Sequence, residues 1–339
     1  MIMHPRVITY SRNAFLPLTT VCRNTCGYCC FRTPVQEGCI MPPAVVEETI
    51  RYSASMGCTE ALFTFGEQPG MVEGFDAALA PTGYATILDY CYDMCRAAID
   101  AGMLPHTNAG ILTREELERF RTVNASMGLM LETTAEIPAH RKAPGKAPEV
   151  RIAMMEDAGR LKIPFTTGLL IGIGETPRDR EESLEVIRDL HRRYGHIQEV
   201  IIQNFCPKEG TPMEAATYPG TEEMCGIIRL AREILPDDVM VQVPPNLADA
   251  AYLIECGVDD LGGVSPVTID YVNPEHPWPQ IEELQGLVGT NMLRERLCIY
   301  QRFIDRGWND PSLEGLIKTL AEVIEERNMQ MMKRNGEEL

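Results

Sequence analysis

Three cysteines carry the first chemical signal in this chain: Cys22, Cys26 and Cys29, in the string Cys22-Arg-Asn-Thr-Cys26-Gly-Tyr28-Cys29. With 12 cysteines in 339 residues, a C-x3-C-x2-C arrangement is expected by chance roughly 0.015 times, so the spacing is informative. Three soft thiolates on one short loop suit three irons of a 4Fe-4S cube. The fourth iron is left without a protein ligand, and an open coordination position is where a cofactor or substrate binds metal directly. A zinc loop that recruits Cys30 competes for the same residues. It is disfavoured because adjacent Cys29 and Cys30 point in different directions, whereas a tetrahedral zinc site takes two separated pairs. Buried, unligated thiols are the third reading.

A loop of this kind must be held at the end of something rigid. Short β-branched or apolar runs at 13–20, 60–65, 104–110, 128–133, 163–174, 199–205, 239–245 and 260–266 alternate with amphipathic stretches at 43–56, 84–101, 114–123, 148–161, 176–194, 221–235 and 247–256. That is the pattern of βα units. Thr113 and Thr221, each followed by two glutamates, read as helix N-caps, and Gly57, Gly102, Gly195 and Gly257 read as helix stops. Eight alternations without a long linker predict an α/β chain folded as a single (β/α)8 TIM-type barrel. Barrels place their chemistry at the strand C-termini, where the cysteine loop falls. Stretches 279–287, 292–304 and 313–332 read as further helices, giving a barrel core over 1–275 and a helical extension packed on it over 276–339.

Composition narrows the partners. The net charge is −18 (31 Lys plus Arg against 49 Asp plus Glu), which repels phosphate backbones and anionic lipid, so neither nucleic acid nor membrane is expected. Cysteine density is below that of disulfide scaffolds, Met1 to Arg12 has no export-type apolar core, and no run is long enough to span a bilayer. A cytoplasmic protein with reduced thiols is expected.

The cysteine spacing, with aromatic Tyr28 before the third cysteine and the loop following the first barrel strand, resembles the radical S-adenosylmethionine (SAM) superfamily. There, the methionyl amine and carboxylate of SAM chelate the unique iron, and the reduced cluster cleaves the sulfonium to a 5′-deoxyadenosyl radical that abstracts a substrate hydrogen. The resemblance implies one 4Fe-4S cluster on Cys22, Cys26 and Cys29, SAM as cofactor, and an external electron donor. Further strand ends match. Thr64-Phe-Gly66-Glu67-Gln-Pro69 resembles the motif that holds the SAM amino group. Glu132 and Arg151 resemble the acid and base that bind the ribose or methionyl ends. Gly168-Leu-Leu-Ile-Gly172-Ile-Gly-Glu175 resembles the pattern that lines the adenine. Without the resemblance these strings read as a Gly-Pro turn, a salt bridge, and a buried strand with its turn.

The stretches 11–22, 128–134, 140–146 (His-Arg-Lys-Ala-Pro-Gly-Lys) and 262–274 resemble, more narrowly, the small-subunit family of the deazaflavin synthases, whose product is 7,8-didemethyl-8-hydroxy-5-deazariboflavin (FO). Membership implies a lyase that closes a hydroxybenzyl/ribitylimino-dihydrouracil adduct to FO with loss of ammonia, the adduct being supplied by a partner radical SAM subunit. A neutral ribityl-pyrimidine calls for hydrogen-bonding groups rather than charges. Candidates at strand ends are Asn108, Gln203, Asn204, Gln242 and Asn246, with His106 and His140 as candidates for moving protons. Cys30 departs from the Thr or Ala expected in the family and reads as an inert buried thiol. Cys39 is unassigned, and Cys91 with Cys95, Cys58, Cys206, Cys225, Cys256 and Cys298 read as small packing residues. The alternatives are another small-substrate radical SAM enzyme, of biotin-synthase or menaquinone-pathway type, and an iron-sulfur electron carrier that does not use SAM.

Overall fold

The computed structural model describes residues 5–335. Eight parallel strands close a ring: β1 (Val7–Leu16), β2 (Glu60–Thr64), β3 (Leu104–Asn108), β4 (Ser126–Gly128), β5 (Phe165–Ile171), β6 (Ile197–Asn204), β7 (Met240–Gln242) and β8 (Asp260–Val264), with β1 pairing both β8 and β2. A ninth strand, β9 (Met292–Glu295), pairs with β1. The helices that follow the strands are α1 (Pro43–Ser55), α2 (Phe75–Leu79), α3 (Ile87–Asp100), α4 (Arg114–Arg121), α5 (Pro148–Arg160), α6 (Pro177–Tyr194), α7 (Thr221–Ile234), α8 (Ala250–Cys256), α9 (Ile281–Leu287), α10 (Gln301–Asp305) and α11 (Glu314–Asn335). This is the (β/α)8 barrel with C-terminal helices that the alternation predicts.

The local chemistry explains the boundaries. Thr113 opens α4 with a reciprocal capping box to Glu116, and Thr176 opens α6 in the same way with Asp179. Gly195, at φ 68°, ends α6 in the left-handed cap that only glycine adopts without strain. All seven residues of β5 are buried, as required when a parallel sheet is covered on both faces. Thr221 is not a cap: Gly220 occupies that place and Thr221 is already helical.

Three expectations need correction. β1 starts at Val7, not near residue 13, and its first residues matter because they carry β9. The segment 292–304 is not one helix: Met292 to Glu295 run in register with Val7 to Tyr10, and a short α10 follows. Alternate residues Leu293 and Glu295 are buried, a period of two that belongs to a strand. Finally, Cys225 on α7 and Cys256 on α8 are not separate thiols but form a disulfide with a Cα–Cα distance of 5.4 Å.

β9 also delivers the residues that floor the barrel. Arg296 places its guanidinium 2.6 Å and 2.7 Å from the carboxylates of Asp260 and Glu199, and Tyr300 Oη stands 3.1 Å from each. Ion pairs this deep persist only with such full pairing. No helix among the described residues is long and apolar enough to cross a membrane.

Candidate active site

The cysteine loop follows β1 and is clamped on two sides. From β2, Arg23 N–H donates to Glu67 O at 3.0 Å and Glu67 N–H to Cys22 Sγ at 3.2 Å. From the 139–145 segment, Ala139 O accepts from Gly27 N–H, Lys142 O accepts from Thr25 N–H, both at 2.8 Å, and Gly145 N–H donates to Asn24 Oδ1 at 3.0 Å. Gly66 makes the first clamp possible: a Cβ there would stand 1.9 Å from Val21 O. Close backbone approach is the reason for glycine at this position.

Cys22, Cys26 and Cys29 line one cavity of about 320 Å³ at the C-terminal end of the barrel. Among the described residues no three His, Cys, Asp or Glu side chains converge on a point where a single ion would sit. The sulfurs border the cavity instead, which suits a cube that takes one thiolate per iron. Burial pushes the Cys22 thiol above its usual range and Cys26 up to about 11, so metal uptake here releases protons.

The same cavity has groups that fit an amino-acid-bearing cofactor. Glu67 is 4% exposed; its Oε2 faces Arg151 Nη2 at 3.4 Å, while Oε1 is buried without a partner among the described residues. A buried carboxylate oxygen left bare is costly and calls for a donor such as an ammonium group. Arg151 is held by Gly145 O at 2.9 Å and by Met130 O. Glu132, in the left-handed region at φ 68°, pairs with Lys146. Against the upward push of burial, Lys146 and Arg151 keep its carboxyl below the usual range. Glu132 and Arg151 therefore share the cavity but are paired crosswise, with Lys146 and Glu67. Lys146 was not singled out as a site residue, although the 140–146 string contained it. Tyr28 Oη lies 3.0 Å from His140 Nε2, and burial pushes His140 down to about 4.

Gly168, Gly172 and Glu175 lie outside the lining of this cavity. A Cβ on Gly168 would meet Ile201 O at 2.3 Å, and Gly172 adopts φ 97°. The Glu175 carboxylate accepts from Gly172 N–H at 2.7 Å and Ile173 N–H at 2.8 Å and pairs with Arg180. It shapes the turn after β5, and Leu170 forms the cavity wall there. Cys30 is exposed and borders the cavity, not buried as expected.

Below lies a second cavity of about 200 Å³ inside the barrel. The two share Thr64, Asn108, Met130, Ile201, Gln203, Val272 and Asn273 as a common neck. Asn108, Gln203, His106 and Gln242 all line the inner cavity. Asn204 faces the upper one, its Nδ2 donating to Leu247 O at 3.0 Å. Asn246 lines neither: its amide donates to Asp270 at 3.0 Å and His276 O at 2.9 Å, tying two loops together. Glu60, Glu199 and Arg296, which belong to none of the sequence motifs, also line the inner cavity. Carboxylates at inward positions of strands that are buried on both faces were the available signal.

The model of the radical SAM superfamily matches residues 16–187. The 7,8-didemethyl-8-hydroxy-5-deazariboflavin synthase of Methanoculleus marisnigri is 68% identical over 322 residues, covering 95% of this chain and 97% of the relative. The chain belongs to the radical SAM superfamily, in the deazaflavin synthase family. The synthase of Methanosphaerula palustris is 64% identical, covering 96% of this chain and all of that one, and that of Archaeoglobus fulgidus is 51% identical, covering 94% and 98%. Among solved structures, HydG, a maturase of the FeFe-hydrogenase, aligns with a TM-score of 0.69 at 15% identity, covering 98% of this chain and 84% of that one. Methylornithine synthase aligns with a TM-score of 0.61 at 16% identity, covering 92% and 86%. At these identities the likeness concerns the fold alone. Family membership makes this a radical SAM enzyme of deazaflavin biosynthesis, to which a 4Fe-4S cluster and SAM belong.

Proposed function

We propose that the chain is the ring-closing component of FO synthesis: a carbon-nitrogen lyase that takes a hydroxybenzyl/ribitylimino-dihydrouracil adduct from a partner radical SAM subunit and closes it to FO with release of ammonia. The observation that carries this reading is the pair of cavities joined at a neck, in a chain 68% identical to a named FO synthase. When bound, the reduced cluster and SAM supply a 5′-deoxyadenosyl radical for hydrogen abstraction. The chain's own residues divide the remaining work. Cys22, Cys26 and Cys29 would hold three irons. Glu67 Oε1 would accept from the SAM amine, and Lys146 with Glu132 and Arg151 would fix its polar ends, with Tyr28 as a wall of the same cavity. Asn108 and Gln203 stand at the neck, where a substrate must meet the radical. The apolar neighbours Met130 and Ile201 exclude water there, which protects a radical from quenching.

The enzyme would work in the cytoplasm with an external one-electron donor. Incubating the reconstituted, reduced protein with SAM and the partner subunit's product should give fluorescent FO together with deoxyadenosine. SAM cleavage without FO would refute the substrate assignment and leave the superfamily chemistry standing.

A further inference from the structure

The inner cavity carries an inference that deepens the function proposed above and rests on it. His106 enters this cavity from β3, and its Nδ1 lies 2.7 Å from Ser126 Oγ. Ser126 has one hydroxyl proton, and Cys298 O, 2.7 Å away, can only accept it. Ser126 Oγ must then accept from His106, so Nδ1 carries the ring hydrogen and Nε2 presents a bare lone pair. Burial pushes His106 down to about 3, so the ring stays neutral. Nε2 lies beside Gly128, where a Cβ would stand 3.0 Å from it, and among the described residues no donor meets it.

The surroundings of this lone pair are polar and acidic, with Arg296 the one Lys or Arg in a lining that holds Glu60, Glu199 and Asp270. Glu60 accepts from Ser11 Oγ at 2.6 Å with one carboxyl oxygen. Burial pushes its acid up to about 7, above the ordinary carboxylate range, so it both donates and accepts near neutrality. Asn13 Oδ1 is buried without a partner. The guanidinium of the floor, Arg296, is already shared by Glu199 and Asp260. Such a chamber suits an uncharged group rich in hydroxyls. A phosphate would face Glu60, Glu199 and Asp270 with no cation to spare.

We propose that this lower chamber holds the ribityl chain of the adduct, that His106 Nε2 accepts a hydrogen bond from one of its hydroxyls, and that Ser126 and the Cys298 carbonyl are positioning groups that fix the required tautomer. Depth in the barrel supports the assignment. The cysteine loop lies at the opposite end, so the atoms to be joined belong at the neck. The ribityl-bearing nitrogen is itself the atom that closes the central ring, so it belongs at the neck, and the polyol that hangs from it is the part that extends downward.

Binding to the SAM-loaded, unreduced holoprotein tests this without turnover. Equilibrium dialysis would compare the ribityl adduct with an analogue carrying N-methyl in place of ribityl. His106→Leu should weaken the ribityl ligand by between about fivefold and a hundredfold, the range for a lost hydrogen bond at a buried site, and leave the N-methyl ligand within about twofold. Wild-type iron content and an unchanged SAM-induced spectral shift report that the variant folds. Independently of any variant, nitrogen-15 histidine spectra of the native protein should show His106 protonated at Nδ1, and Ser126→Ala should lose that preference. Unchanged affinity in His106→Leu, equal weakening of both ligands, or the Nε2–H tautomer in the native protein would each overturn the inference. If the wild type makes no FO at all, it is the proposed function that has failed; FO formation with any of those three results sinks only the chamber assignment.

Discussion

Replacing Gly66 by alanine puts one methyl group where the cysteine loop crosses the end of β2. On the existing backbone it would stand 1.9 Å from Val21 O, 2.5 Å from Val21 C and 3.0 Å from Cys22 Cβ. Real Cβ atoms essentially never approach closer than 3.0 Å, so the Val21 carbonyl must retreat by about 1.1 Å, the difference between 3.0 and 1.9 Å. This is backbone, with no rotamer to swing aside, and Cys22 is the next residue. The bonds from Arg23 N–H to Glu67 O and from Glu67 N–H to Cys22 Sγ go with it. Overpacking of this kind costs about 1–3 kcal/mol, small enough for the barrel to survive. Metal ligands, however, tolerate displacements of only about 0.2 Å. After anaerobic reconstitution, Gly66→Ala should hold less than about half the iron and sulfide of the wild type, with deoxyadenosine formation falling in step. Gly220→Ala, whose added methyl meets nothing within 4 Å, serves as the control. A Gly66→Ala protein with a full cluster and wild-type SAM cleavage would refute the reasoning.

Three other outcomes are expected. Lys146→Met removes the cation paired with Glu132 and should raise the SAM concentration needed for the cluster's spectral shift at least about tenfold, measured by titration on the reduced protein. Arg296→Met leaves Glu199 and Asp260 as buried, unpaired carboxylates and should cost about 3–5 kcal/mol in denaturant unfolding. His196, packed against Phe165 and Tyr194, is pushed by burial down to about 3. As pH falls below about 6.5 the unfolded chain binds a proton that the folded chain refuses, so stability is lost between there and about 3 and is unaffected above. His196→Phe should remove that loss, up to about 1.4 kcal/mol per pH unit, seen as a smaller drop in Tm between about pH 7 and 5.5.

The barrel was legible because its strands and helices differ in period, and the cysteine loop because its spacing is rare. What stayed hidden depends on contacts between distant residues. Nothing local in Met292-Leu-Arg-Glu295 announces a strand; the free edge of β1 makes it one. Cys225 and Cys256 are 31 residues apart, and their pairing needs α7 beside α8. Arg151 stands in the first turn of α5 as expected, whereas Glu132 lies four residues past β4 in an isolated bridge to Leu169, and the partners of both depend on how the 139–147 segment folds back over the loop. Asn246 was indistinguishable from Asn108 in sequence, since both are amides near strand ends, but one ties loops together and the other faces the cavities.

The pairing of Val7 with Met292 spans 285 residues, and it has a consequence for the order in which the enzyme is made. During synthesis the cysteines emerge early and every residue that lines the upper cavity precedes β9, Arg296 and Cys298. Long-range pairing of this kind is slow to form, and domains form as their chains leave the ribosome. A nascent chain of about 290 residues would carry all three cysteines of the loop in a barrel still open at the base, with Ser126 lacking the Cys298 carbonyl that it donates to. The floor of the inner cavity is completed only once β9 has joined β1, after the whole of the cysteine loop has left the ribosome.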